Sequence, residues 1–189
     1  MPDRQRAARA IEEFLRALDY EIKDELAETG ARVADAWLDE LVAGERVDAA
    51  KLIERGAIDL GPGPHGAVVL RDVRVATMCP HHLLPAHGRA TVGYLPGRRV
   101  AGIGVIAQVV DALARRLTLQ ETLGREVARV MQDGLFAEGA FCRLALTHTC
   151  FTTRGENQHG AVVETLALLG RFDGDLRSMA LALSSGHAP

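Results

Sequence analysis

Residues 61–66 read "GPGPHG", and no helix runs through three glycines and two prolines in six positions. That break separates two kinds of periodicity. Before it, Ala7, Ile11, Phe14, Leu15 and Leu18 recur at spacings of three and four, the mark of one apolar helical face. Val33, Trp37, Leu38 and Leu41 repeat the pattern, with Gly44 placed to end it. Residues 3–44 are therefore predicted helical and the stretch up to the break looser. After the break the period shortens. "HGAVVLRDVRVATMC" and "GRATVGYLPG" carry β-branched residues in short alternation and read as two antiparallel strands, with "PHHLLPAHG" between them. From Gly104, "GVIAQVVDALARRL" returns to helical spacing through Val105, Val109, Leu113 and Leu117. "QETLGREVARVMQDGL" follows with Leu123, Val127 and Val130 inward. "AFCRLALTHTCFTTR" and "GAVVETLALLG" form a second strand pair, and "DGDLRSMALALSS" a short terminal helix. The order is strand, strand, helix, helix, strand, strand, behind N-terminal helices. It predicts an α+β fold with helices on one face of a four-stranded antiparallel sheet. The division expected is a helical segment over 1–60 and a second domain over 61–189.

Composition narrows the class. Hydrophobic content of 48% with 25% charge is that of a globular chain. A net charge of -3 and the lack of a basic run give no pull toward nucleic acid or anionic membrane. Aromatics, at 4%, are too few for stacking platforms that bind single strands. The charged opening "MPDRQRAARAIEEFL" is not a secretory signal, and no apolar run spans a membrane, so a cytoplasmic protein is expected. Three cysteines make a poor disulfide framework and point to metal or chemistry.

"MCPHHLLPAHG", residues 78–88, places Cys79, His81 and His82 within four positions. Further on, "CRLALTHTC" read as a strand puts Cys142, Leu144, Leu146, His148 and Cys150 on one face. His148 and Cys150 would then point the same way, about 6 to 7 Å apart, while Cys142 lies roughly 26 Å from Cys150 at strand rise. A lone cysteine is most often a small buried hydrophobe and a lone histidine a surface group, and Cys142 and His187 read so. If the two hairpins meet, Cys79 and His81 or His82 join Cys150 in a set of two thiols and an imidazole. That set suits zinc with a fourth position left to water. A structural zinc with a fourth ligand from the additional histidines stays open on pattern alone.

These residues resemble the GTP cyclohydrolase I family. Its Cys-Glu-His-His block followed by an apolar pair and a glycine matches Cys79, Pro80, His81, His82, Leu83 and Gly88. Its Gly-Tyr-Leu-Pro strand end matches Gly93 to Pro96, and its Arg-Arg-Leu-x-x-Gln-Glu segment matches Arg115, Arg116, Leu117, Gln120 and Glu121. Its Thr-His-x-Cys strand with a following arginine matches Thr147, His148, Cys150 and Arg154, and an upstream helix matches Arg32, Val33 and Ala34. The resemblance runs collinearly over roughly residues 28–172. It implies the T-fold, a ring-forming homo-oligomer (a decamer in the family) and a Zn²⁺ held by Cys79, His82 and Cys150. It further implies catalytic roles for His81 and His148, and substrate binding by Gln120, Glu121, Arg154 and Arg32. In such a site zinc lowers the pKa of its water for attack at C8 of a purine. Histidine carries protons as the ring opens, and a carboxylate accepts from a guanine-like edge.

The sequence departs from the family at the phosphate end. Where Gly-Leu-Ser-Lys-x-x-Arg holds a triphosphate, this chain has Gly104, Val105 and Gln108. Asp35 replaces another phosphate-binding lysine, and "RGENQHG" offers no match to a third. Each charge-assisted contact contributes ~1.5–3 kcal/mol, so the expected substrate is a purine base or nucleoside lacking a triphosphate. Pro80 also stands where the family has Glu. The alternatives are GTP itself yielding dihydroneopterin triphosphate, a non-catalytic zinc- or purine-binding relative, and a T-fold reductase with a cysteine nucleophile.

Overall fold

The computed structural model describes residues 2–61 and 63–185; His187 lies outside the described residues. The chain divides into a unit ending at Ala43 and a second beginning at Gly44.

In the first unit, α1 (Arg4–Ala17) starts on Asp3, whose side chain accepts from the backbone N–H of Arg6. It ends at Ala17, short of the periodic "LDYEI" tail, because the chain turns at Asp19 with a positive φ of 63°. α2 (Thr29–Ala36) does not continue through the apolar positions that follow. It widens into a π turn over Trp37–Leu41, so the single expected helix is two pieces. Arg4 joins α1 to this segment by ion pairs to Asp35 and, at 2.7 Å, to Asp39.

The second unit begins with structure that periodicity did not reveal. The looser stretch contains α3 (Ala49–Arg55), capped by Asp48, and a short strand β1 (Ala57–Asp59). Seven helical residues and three strand residues are too few to show a period. β2 (Val68–Met78) and β3 (Pro85–Leu95) form the first hairpin, with β3 starting inside the segment read as a connector. β4 (Arg99–Ala101) pairs antiparallel with β1, apart from the main sheet. α4 (Ile103–Ala114) and α5 (Gln120–Leu135) follow. α4 stops before Leu117, which is 44% exposed rather than inward. β5 (Gly139–His148), a one-turn α6 (Thr149–Thr152), β6 (Val163–Gly170) and α7 (Arg177–Ser185) complete the chain.

The main sheet has the order β2-β3-β5-β6, antiparallel throughout, leaving β2 and β6 as its edges. One face carries Val75, Ala90, Val92, Cys142, Leu144 and Leu146. It packs against Val109, Leu113, Leu123, Val127 and Met131 of the two long helices. Val109, Leu113, Leu123 and Val127, read from the sequence as inward, thus close the core, whereas Phe14 of the face read on α1 is 61% exposed. Cys142 is fully buried there, and burial pushes its thiol pKa up to about 12. Gly88 allows the centre of the sheet to close: a Cβ there would stand 2.0 Å from the carbonyl oxygen of Ala145. No helix among the described residues is long and apolar enough to cross a membrane.

Candidate metal centre and substrate cleft

The turn from β2 to β3 is tied at both ends. The N–H of Cys79 donates to the carbonyl of Leu84 at 2.9 Å, and the N–H of Leu83 to that of Cys79 at 3.0 Å. Closing it forces Leu83 into the left-handed region at φ 53°, where a leucine is strained. This turn presents Cys79, His81 and His82 at one end of the sheet. Segment 115–119 lies beside that end, where Met78 bridges Leu117 and the Thr77 hydroxyl donates to the carbonyl of Arg116 at 3.4 Å. The first residues of α5, Gln120 and Glu121, are thereby delivered next to the turn.

The third contribution corrects one expectation. Cys150 does not share the strand face of Cys142 and His148: β5 ends at His148, and the chain coils into α6. The Thr149 hydroxyl, donating to the carbonyl of Pro85 at 2.7 Å, anchors that turn to the start of β3. The coil swings the Cys150 sulfur toward the β2–β3 turn. There Cys79, His82 and Cys150 bring one donor atom each within 4.8 Å of one another. Cys79 Sγ stands 3.6 Å from His82 Nδ1. A tetrahedral zinc, with Zn–S near 2.3 Å and Zn–N near 2.0 Å, holds its sulfur and nitrogen ligands roughly 3.5 Å apart. The donor set and spacing fit such an ion with one position open. Burial raises the Cys150 pKa, as does the adjacent Cys79 thiol, while Arg154 pulls it down.

A cleft of about 250 Å³ opens beside the three donors. His81, Gln120, Glu121 and His148 line it, as do Leu119, Phe151 and Val163. Glu121 is exposed and near enough to raise the pKa of His148, but burial dominates and lowers it. The structure thus gathers Cys79, His81, His82, Gln120, Glu121, His148 and Cys150 at one place. Arg154 is exposed after α6 and does not line the cleft. Arg32 belongs to the first unit, where it pairs with Glu28 at 2.6 Å. Leu119, Phe151 and Val163 belong to no spacing motif. Adjacency to Gln120 and Cys150 is the only signal for the first two.

Over residues 7–185 the sequence matches the family described as GTP cyclohydrolase I. The chain belongs to that family. It is similar to the GTP cyclohydrolase 1 of Leifsonia xyli subsp. xyli, 40% identical over 172 residues, covering 90% of this chain and 88% of that protein. The GTP cyclohydrolase 1 of Rhodopirellula baltica is 37% identical over 192 residues, covering 96% and 78%. That of Wolinella succinogenes is 33% identical over 178 residues, covering 89% and 91%. A solved structure of the archaeosine synthase QueF-Like in the apo form is similar over 57% of this chain and 97% of its own, at 19% identity and a TM-score of 0.48.

As a member of the GTP cyclohydrolase I family the chain is a hydrolase of the cyclohydrolase type, and its ββααββ unit is the T-fold. Two of its departures have structural correlates. Val105 packs against the core, and its methyl groups fill the space a Cβ on Gly56 would need, at 2.3 Å. Asp35 is paired with Arg4. The thiols give a direct check of the metal centre. In metal-free native protein Cys79 and Cys150 are expected to react readily with a thiol reagent such as DTNB, and Cys142 only after unfolding. One equivalent of zinc should protect the first two; reaction of all three at one rate would contradict the arrangement.

Proposed function

We propose that this chain is a zinc-dependent cyclohydrolase that opens the imidazole ring of a purine lacking a triphosphate, at C8. One observation carries the substrate reading: no lysine or arginine is among the described residues lining the cleft, and its one carboxylate is Glu121. A triphosphate brings about four negative charges and needs charge-assisted partners contributing ~1.5–3 kcal/mol each, which this lining does not supply. A neutral base or nucleoside suits the walls formed by Leu119, Phe151 and Val163.

Cys79, His82 and Cys150 would hold a zinc ion, which would supply a water of lowered pKa for attack at C8. Glu121 accepts hydrogen bonds from the N–H and amino groups of a guanine-like edge and so orients the ring. His81 and His148 move protons to and from the ring nitrogen as the C8 bond opens. Arg154 stands ready for a single anionic group, and a substrate-binding role for Arg32 rests on the resemblance alone. Pro80, lining the cleft, offers no carboxylate beside His81. Association into a ring is part of this reading: β2 and β6 are open edges, and Val163 and Leu166 on β6 are 38% and 36% exposed. A cytoplasmic setting fits the free thiols such chemistry requires.

GTP is the second reading, favoured by the name GTP cyclohydrolase 1 that the relatives carry. Mixing zinc-loaded protein with GTP, guanosine, guanine and oxidised purines, and following loss of purine absorbance, separates the two. Turnover of guanosine or a free base without turnover of GTP is the expected result. Saturable GTP hydrolysis at micromolar concentration overturns it.

A further inference from the structure

The side chain of Gln120 does something other than read a substrate. It is 3% exposed, at the first position of α5, and its amide nitrogen is enclosed by acceptors. Nε2 stands 2.9 Å from the carbonyl of Val163, 3.2 Å from the Thr165 hydroxyl and 3.3 Å from the carbonyl of Leu144. Two amide hydrogens face three acceptors, so no donor is left over for a ligand. The opposite amide orientation would press Oε1 against two carbonyl oxygens, which can only repel it. The orientation is therefore fixed by the backbone of β5 and β6. Oε1 consequently faces the other way, where His148 Nε2 lies at 2.7 Å. An amide oxygen only accepts, so His148 Nε2 must carry the hydrogen. A neutral imidazole has one N–H, and its other nitrogen then holds a lone pair.

We infer that Gln120 is a positioning residue that fixes His148 as the Nε2–H tautomer, leaving Nδ1 as the ring nitrogen available to the substrate. The inference rests on the reading of His148 as an acid–base residue, and it reassigns Gln120 from purine recognition to holding that residue. The chain of constraint is short. Carbonyls of two strands orient one amide, the amide orients one imidazole, and the imidazole exchanges its proton through the nitrogen that remains. Glu121, exposed and next in sequence, is left to meet the purine edge alone. The arrangement also holds the ring plane, since His148 is the last residue of β5 and Gln120 the first of α5.

Two measurements on zinc-loaded full-length protein test this. The first is a long-range ¹H–¹⁵N correlation spectrum of protein labelled at histidine nitrogen, with His148→Ala used to assign the His148 signals. A protonated Nε2 and an unprotonated Nδ1 are expected; the reverse pattern overturns the inference without any substitution at Gln120. The second is kinetic, with GTP or guanosine as the probe, whichever is opened. Gln120→Leu is expected to lower kcat about 10- to 100-fold with KM changed less than about twofold. In a His148→Ala background the same substitution should cost nothing further, because Gln120 acts through the lost ring. A rise in KM with kcat unchanged, or an added loss in the double variant, assigns Gln120 to the substrate and overturns the inference. Full activity of His148→Ala would instead remove His148 from the chemistry, and the spectrum of the unaltered protein then decides the tautomer by itself.

Discussion

Cys150→Ala is expected to lower ring-opening activity by at least about a thousandfold and to reduce bound zinc well below one per chain. The argument is geometric. Three donors within 4.8 Å of one another form the centre, and Cys150 is the one that comes from the far side, on α6. Without it, Cys79 and His82 offer a single thiol and imidazole on one turn, too few to hold a zinc ion firmly. The fold should survive, since Cys150 is only partly buried and lies outside the core cluster. Cys142→Ala is the matched control: it removes a thiol from the core and should cost some stability while leaving metal content untouched. Metal analysis and turnover on the two variants side by side make the comparison. Full zinc and full activity in Cys150→Ala would sink the assignment.

Gly88→Val is expected to act on the fold instead, with a loss of roughly 3 kcal/mol or more, enough to prevent soluble folding. A Cβ at this position would meet the Ala145 carbonyl oxygen at 2.0 Å, a backbone atom held in the β3–β5 ladder that cannot swing aside. Relief requires the two central strands to separate. These strands also carry Pro85 and His148, whose neighbour Thr149 hydrogen-bonds the Pro85 carbonyl, so any surviving protein should show an altered cleft. Urea unfolding followed by circular dichroism measures the effect, and a midpoint matching the parent's would refute it.

The sheet and its two helices were legible because each has a long, regular pattern: Leu144 and Leu146 alternate with Ala145 and Thr147, and Leu123 and Val127 repeat at helical spacing. β1, β4 and α3 were not, being three to seven residues long and held by tertiary pairing. Cys79, His82 and Cys150 were legible as a set, but the way Cys150 reaches it was not. Strand alternation extended past His148 gave a common face, whereas Thr149 bonds across to Pro85 and turns the chain. Gln120 was visible as a residue and hidden in its role. What it does depends on carbonyls of Leu144 and Val163, and backbone atoms leave no mark in a sequence.

Cys79 and Cys150 stand at the two ends of a long stretch of chain that contains β3, both long helices and β5. An ion joining them would therefore be a cross-link as well as a reagent. It would close a loop around most of the core and remove open conformations that stretch would otherwise explore when unfolded. The zinc-loaded chain should then unfold at a higher urea concentration than the metal-free one, while both remain folded in the absence of denaturant.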